Sequence, residues 1–326
     1  MTFRPPHAAP SSLATSILAM VLTASCVVMA HAQTEDPPAL LLYWGRGGSL
    51  PGQFANPVDL AVSTDGFVYV ADTGNHRIQK FASDSTFILS WGTFGSGPGQ
   101  FNSPTGVAVD PSGNVYVADA SNNRIQRFDA GGVFIQQWSS PSAIGLEVDP
   151  TGAFLYVVAA DSVRQYTTSG VRLTAWRTFA SNFTLWDVAV GPTGHSYVTA
   201  TYDNEVRKYF SVALVASWSG TGDGQLFHPT GIAVDSQDHV YVADVDWVRK
   251  FSSGGTFLSR WGGHGGLPGQ FISPYGVAVD SDGNIYVVDN STNRVQKFGD
   301  TPTPAQKTTW GRIKAGYRQP GRGGSR

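Results

Sequence analysis

Six tryptophans, at positions 44, 91, 138, 176, 218 and 261, punctuate the chain at spacings of 47, 47, 38, 42 and 43 residues. A recurring period of this size marks an array of similar units rather than one irregular core. Between the tryptophans one phrase returns. Residues 56–81 read NPVDLAVSTDGFVYVADTGNHRIQKF, residues 103–128 read SPTGVAVDPSGNVYVADASNNRIQRF, and residues 273–298 read SPYGVAVDSDGNIYVVDNSTNRVQKF. Residues 228–251 carry a shortened copy, and residues 144–166 and 185–209 carry two degenerate ones.

Each copy decodes into four short strands. In the second copy, residues 106–109 (GVAV) form the first and 111–114 (PSGN) a turn. Residues 115–118 (VYVA) make the second strand. Residues 124–128 (RIQRF) alternate apolar with polar, the pattern of a half-buried third strand, and residues 133–138 end the unit on tryptophan. One such sheet leaves both faces bare; six arranged radially cover one another. Composition agrees, with 38 Gly, 12% aromatic and only 14% charged residues, a mixture suited to short strands and tight turns. The expected fold is all-β: a six-bladed β-propeller of four-stranded antiparallel blades over residues 39–300. The last copy stops at Phe298 without a fourth strand. Residues 39–45 (ALLLYWG) match residues 86–92 (TFILSWG) and are the preferred closing strand, which would remove an open edge. Residues 307–311 (KTTWG) are the rival.

The pattern PGQF, then P-x-G-V-A-V-D, then G-N-x-Y-V-A-D-x-x-N-x-R-I-Q-x-F resembles the NHL repeat, and residues 39–300 carry the resemblance. The resemblance implies a binding scaffold whose partner the repeat leaves open. It also allows enzymes, namely zinc- and calcium-dependent amidating lyases and calcium-dependent lactonases or hydrolases. RNA binding and membership of ubiquitin ligases occur in the family too.

The flanks differ from the body. Residues 13–30 are mostly apolar and lead to Ala30-His31-Ala32, a small-x-small cleavage pattern, so residues 1–32 read as an export signal and 33–38 as a linker. The only cysteine, Cys26, leaves with that signal. The expectation is a periplasmic, extracellular or cell-surface protein, monomeric, with no membrane span after cleavage. Residues 39–300 hold 15 Lys/Arg against 22 Asp/Glu, whereas residues 301–326 hold six Lys/Arg and no acid. An acidic body with a basic tail disfavours nucleic acid, which needs broad phosphate neutralisation. The tail offers a third reading, attachment of a structural component to the cell surface.

In a four-stranded blade, the loops leaving the fourth strand and those joining the second to the third share one rim. Here these are the long loops, so that rim is the expected binding face. Arg77, Arg124 and Arg294 occupy one motif position in copies one, two and six, replaced by Ser162, Glu205 and Trp247 in the others. Two readings stay open: a crescent for anionic or polar ligands, or braces on the loop acids Asp72, Asp119 and Asp289. Val58, Thr105, Ile144, Trp186, Thr230 and Tyr275 start the innermost strands at the channel mouth. There Trp186 and Tyr275, with Trp247 nearby, either stack on a sugar or peptide or plug the channel. His228 stands alone at its repeat position. Asp59 and Asp187 replace a repeat glycine in copies one and four, across the ring from each other, and with His228 they are the candidates for metal. No G-x-S-x-G elbow and no phosphate loop is present. The leading expectation is an exported noncatalytic scaffold for a protein, peptide or glycan. Calcium is the one cofactor left open, and a metal-dependent lyase or hydrolase at the channel mouth is the alternative.

Overall fold

The computed structural model describes residues 35–178 and 185–300. Strand β1 (Ala39–Trp44) comes first. Blade one is β2 (Asp59–Val62), β3 (Val68–Asp72), β4 (Arg77–Phe81) and β5 (Phe87–Trp91). Blade two is β6 (Pro104–Val109), β7 (Val115–Asp119), β8 (Arg124–Phe128) and β9 (Phe134–Ser139). Blade three is β10 (Ala143–Val148), β11 (Phe154–Ala159), β12 (Ser162–Thr167) and β13 (Arg172–Arg177). Blade four is β14 (Leu185–Val190), β15 (His195–Ala200), β16 (Glu205–Phe210) and β17 (Ala213–Trp218). Blade five is β18 (Pro229–Val234), β19 (Val240–Asp244), β20 (Trp247–Phe251) and β21 (Phe257–Gly262). Blade six is β22 (Pro274–Val279), β23 (Ile285–Asp289) and β24 (Arg294–Gly299), with β1 as its fourth strand.

All neighbours are antiparallel, and the six four-stranded sheets form the expected six-bladed propeller. The N-terminal strand closes it: Trp44 sits opposite Val295, as Trp91 sits opposite Ile78 and Trp138 opposite Ile125. The rival closing segment and the basic tail at 301–326 lie outside the described residues, as do the signal and the first residues of the linker. The linker's described part is fastened down. Glu35 donates its backbone N–H to Leu258 O, and its carboxylate pairs with Lys250 on blade five.

The repeat's aromatics explain the ring. Each repeat tryptophan packs on the tyrosine of its own blade's second strand and on the aromatic residue ending the next blade's third strand. Trp91 meets Tyr69 and Phe128, with ring centroids 6.2 and 5.7 Å apart. Trp138 meets Tyr116 and Tyr166, and Trp176 meets Tyr156 and Tyr209. Trp218 meets Tyr197 and Phe251, and Trp261 meets Tyr241 and Phe298. Trp44 completes the series on Tyr286 and Phe81. Each contact buries large apolar area in tilted or edge-to-face geometry, the favoured arrangement for such rings.

The third strands depart from expectation. In blades one, two and six they are almost wholly buried, not half-buried, because they too lie between blades, whereas β12 and β16 keep the mixed pattern. Gln79, Gln126 and Gln296 have no exposed surface, so their amides need internal partners. They find them in the long loops: Gln126 Nε2 donates to Gln100 O, and its Oε1 accepts from Gly99 N. On the opposite rim the turns are short. Asp110 accepts from Ser112 N and Asn114 N, and Gly113 at φ 82° takes the left-handed position that a Cβ would strain.

Candidate functional site

The innermost strand of each blade has one unpaired edge, which faces the channel, and its backbone N–H groups there need acceptors. Asp59 and Asp187 supply two. Asp59 Oδ2 accepts from Val107 N of blade two at 2.9 Å, and Asp187 Oδ2 accepts from Ile232 N of blade five at 3.1 Å. The repeat glycines make room: a Cβ on Gly276 would collide with Asp59, and one on Gly145 with Asp187. Thr105 Oγ1 donates to Ile144 O, and Thr230 Oγ1 donates to Tyr275 O, each stitching a blade to the next. The inner layer therefore repeats after three blades: Asp, Thr-Gly, Gly, then again.

A third acid joins these two. Glu147 stands where the other copies have Ala61, Ala108, Ala189, Ala233 and Ala278. It lines the same channel cavity as Asp59 and Asp187, a space of about 80 Å³. Burial, then Asp187 and Asp149, push its carboxyl up to about 8. Burial raises Asp187 as well, against the lowering effect of its two backbone donors. Burial and the nearby Asp187 charge hold Asp59 well above the usual carboxylate range. Glu147 was legible as a break in the repeat and was missed because alanine-to-glutamate in a degenerate copy looks like drift.

At the channel mouth above them two half-buried aromatic side chains meet. Trp186 and Tyr275 meet edge-to-face with centroids 5.3 Å apart, reaching from blades four and six across blade five. Thr105 and Thr230 are engaged between blades, as above. Trp247 is stacked under Arg260, whose guanidinium lies 4.4 Å from its ring centroid and pairs with Asp223.

The three arginines do not form an open crescent. Arg77 and Arg124 side chains are only 13% and 9% exposed, and each Nε lies 2.7 Å from its loop acid, Asp72 or Asp119. Their remaining donors hold backbone carbonyls: Ser49, Leu50 and Gln53 for Arg77, and Ser96, Gly97 and Gln100 for Arg124. Arg294 grips the carbonyls of Gly266, Leu267 and Gln270, but among the described residues its Nε has no partner. Asp289 instead accepts from Ile272 N and Ser273 N, so the expected Arg294–Asp289 brace is not made. The other blades use an arginine too, two residues further along the third strand and so on the same face. Arg164 donates to Pro141 O, Arg207 pairs with Asp203 and Glu205, and Arg249 pairs with Asp244 at 2.6 Å. The guanidinium is a staple for the long loop in all six blades, and its shift in register hid this from a position-by-position comparison.

What the staples present is apolar. The tips of the long-loop rim expose Leu50 (63%), Phe94 (67%), Tyr202 (58%), Phe227 (49%) and Leu267 (68%). His228 lies there as well, donating its backbone N–H to Asn204 and set at right angles to the Tyr202 ring. His76 and His264 are elsewhere on the rim, accepting from Ser103 N and paired with Asp246.

The metal candidates His228, Asp59 and Asp187 are not brought together as a set. Among the described residues no group of three His, Cys, Asp or Glu is placed to hold an ion. His228 is at the rim, and Asp59 and Asp187 are bound to backbone N–H groups in the channel. Among the described residues no helix is long and apolar enough to cross a membrane.

Comparison with known proteins places the repeat. The NHL repeat model matches residues 54–81, 101–128 and 271–298, which are blades one, two and six. The chain carries three NHL repeats in a six-bladed propeller. A search of curated proteins gives no match. Among solved structures, a streptogramin B lyase superposes with a TM-score of 0.58 at 11% identity, covering 81% of this chain and 99% of that one. Virginiamycin B lyase from Staphylococcus aureus gives 0.57 at 13% identity, covering 78% and 98%. Its catalytically inactive variant with quinupristin gives 0.57 at 13% identity, covering 78% and 88%. At these identities the likeness is one of fold.

Proposed function

We propose that this NHL-repeat propeller is an exported, noncatalytic binding scaffold that grips a protein or peptide through apolar side chains on its long-loop rim. One observation carries the reading. The residues whose carbonyls the buried arginines hold include Leu50 and Leu267, whose side chains stand 63% and 68% exposed at the loop tips. An apolar side chain on a loop already fixed by charge-assisted hydrogen bonds loses little freedom on binding, which favours affinity. Phe94 and Phe227 extend the same surface, and exposed aromatic and aliphatic anchors are the residues that dominate interfaces. The apolar run and small-x-small pattern in residues 1–32, which read as an export signal, support a partner outside the cytoplasm. Catalysis has no comparable support, since the buried channel acids hold blade edges and the histidines stay apart.

The test is selection from a random peptide library on the immobilised protein, followed by anisotropy titration of the enriched peptides. Peptides with apolar anchors are expected, and the L50D/F94D/L267D variant should bind them about tenfold or more weakly with an unchanged melting temperature. Equal binding by the variant would overturn the assignment to this rim.

A further inference from the structure

The short-turn side carries a second feature. Between blades five and six lies a groove of about 330 Å³ that the two ends of the propeller frame. Its walls include six carboxylates: Glu35, Asp36, Asp235, Asp280, Asp282 and Asp300. Lys250 is the one cation among the described lining residues and pairs with Glu35, while Lys297 approaches Asp280 at 3.9 Å. Asp235 is taken by His239 and Tyr241. Asp36, Asp282 and Asp300 are exposed and, among the described residues, have no ion-pair partner. The field of these acids is felt by the groove's tyrosine: after burial, the charges of Asp235, Glu35 and Asp300 help push Tyr241 upward.

A second observation is independent of charge. Ser259 lines the groove, is 4% exposed, and among the described residues its Oγ has no hydrogen-bond partner. A buried hydroxyl left bare costs free energy that a bound group would recover.

We infer that this groove is the docking site of the chain's own basic segment, residues 301–326. Three facts select that occupant. The segment carries six Lys/Arg and no acid, opposite in sign to the groove. It begins at residue 301, directly after Asp300, which is itself a wall of the groove. Its first cation, Lys307, is seven residues on, within roughly 23 Å of extended chain, so tethering gives a high effective concentration. Docking ties the C-terminal segment to the Glu35–Pro38 strap, joining both ends of the ring on the face opposite the proposed binding rim. The inference is independent of what that rim binds.

The experiment is zero-length carbodiimide cross-linking of the full chain at low concentration, as an equal mixture of 15N-labelled and unlabelled protein, read by mass spectrometry. Cross-links from Lys307 or Lys314 to Glu35, Asp36, Asp282 or Asp300 within one isotopic chain are expected, and they should fade in 0.5 M salt. A peptide of residues 301–326 should bind the chain truncated after Asp300. The D36N/D282N/D300N variant should weaken that binding about tenfold, and S259A about threefold. Cross-links scattered over acids elsewhere, cross-links only between isotopically different chains, or peptide binding indifferent to both variants would each overturn the proposal.

Discussion

Glu147 is the residue with the sharpest pH consequence. Burial pushes its folded carboxyl up to about 8, whereas an unfolded glutamate sits near 4.5. The folded state therefore keeps a proton that the unfolded state has already released, and stability falls as pH rises through that window. Glu147→Gln should flatten the decline, gaining on the order of 1–3 kcal/mol at pH 9 relative to pH 5. Urea midpoints at the two pH values measure this, and an unchanged slope would sink the assignment. Arg124 makes a complementary prediction. Arg124→Ala strands the fully buried Asp119 and frees the carbonyls of Ser96, Gly97 and Gln100. A loss of about 3–5 kcal/mol is expected. Arg124→Lys should recover little of it, because one ammonium cannot reproduce the planar fork. Chemical denaturation of both variants distinguishes a fork from a simple charge.

At the scale of the element, β1 is the strand on which closure turns. It pairs with β24 from Ala39–Gly299 to Trp44–Val295 and places Trp44 between Tyr286 and Phe81. Removing residues 39–44 strips blade six of its outer strand and exposes an edge of β24. The truncated protein should melt at least several degrees lower and associate with rising concentration, as scanning calorimetry and light scattering would show. A monomeric, equally stable product would mean that another segment closes the ring. The strap ahead of β1 makes a smaller contribution, since the Glu35–Lys250 pair is partly exposed.

For the whole molecule, the acids at the centre couple blades that share no strand. Asp59 and Asp187 lie three blades apart, yet after burial the Asp187 charge helps raise the Asp59 carboxyl through the channel. At pH 8, Asp59→Asn and Asp187→Asn should each relieve the same repulsion. The double variant should then gain less than the sum of the singles, while at pH 4 the effects should add. A double-mutant cycle by thermal denaturation reads the coupling directly, and additivity at both pH values would show that the two halves of the ring are independent.

The number of blades, the strands within them and the closing strand were all legible in the chain. They follow from local signals: Gly-containing turns, period-two runs and the tryptophan spacing, each set by its own few residues. The candidate sites were legible only in part. Arg77, Arg124 and Arg294 stood out as a crescent, but their neighbours in space are carbonyls some 24–28 residues earlier, which no local pattern announces. Arg164, Arg207 and Arg249 take the same role from a shifted position, so sameness of function was hidden by difference of register. Burial of the third strand, the meeting of Trp186 with Tyr275 and the gathering of Asp59, Glu147 and Asp187 depend on blades packing around an axis. Sequence determined the blade because a blade is held by contacts within one repeat. Tertiary structure decided the channel and the rims because their contacts join different repeats, where a side chain's partners are chosen by the ring and not by its neighbours in the chain.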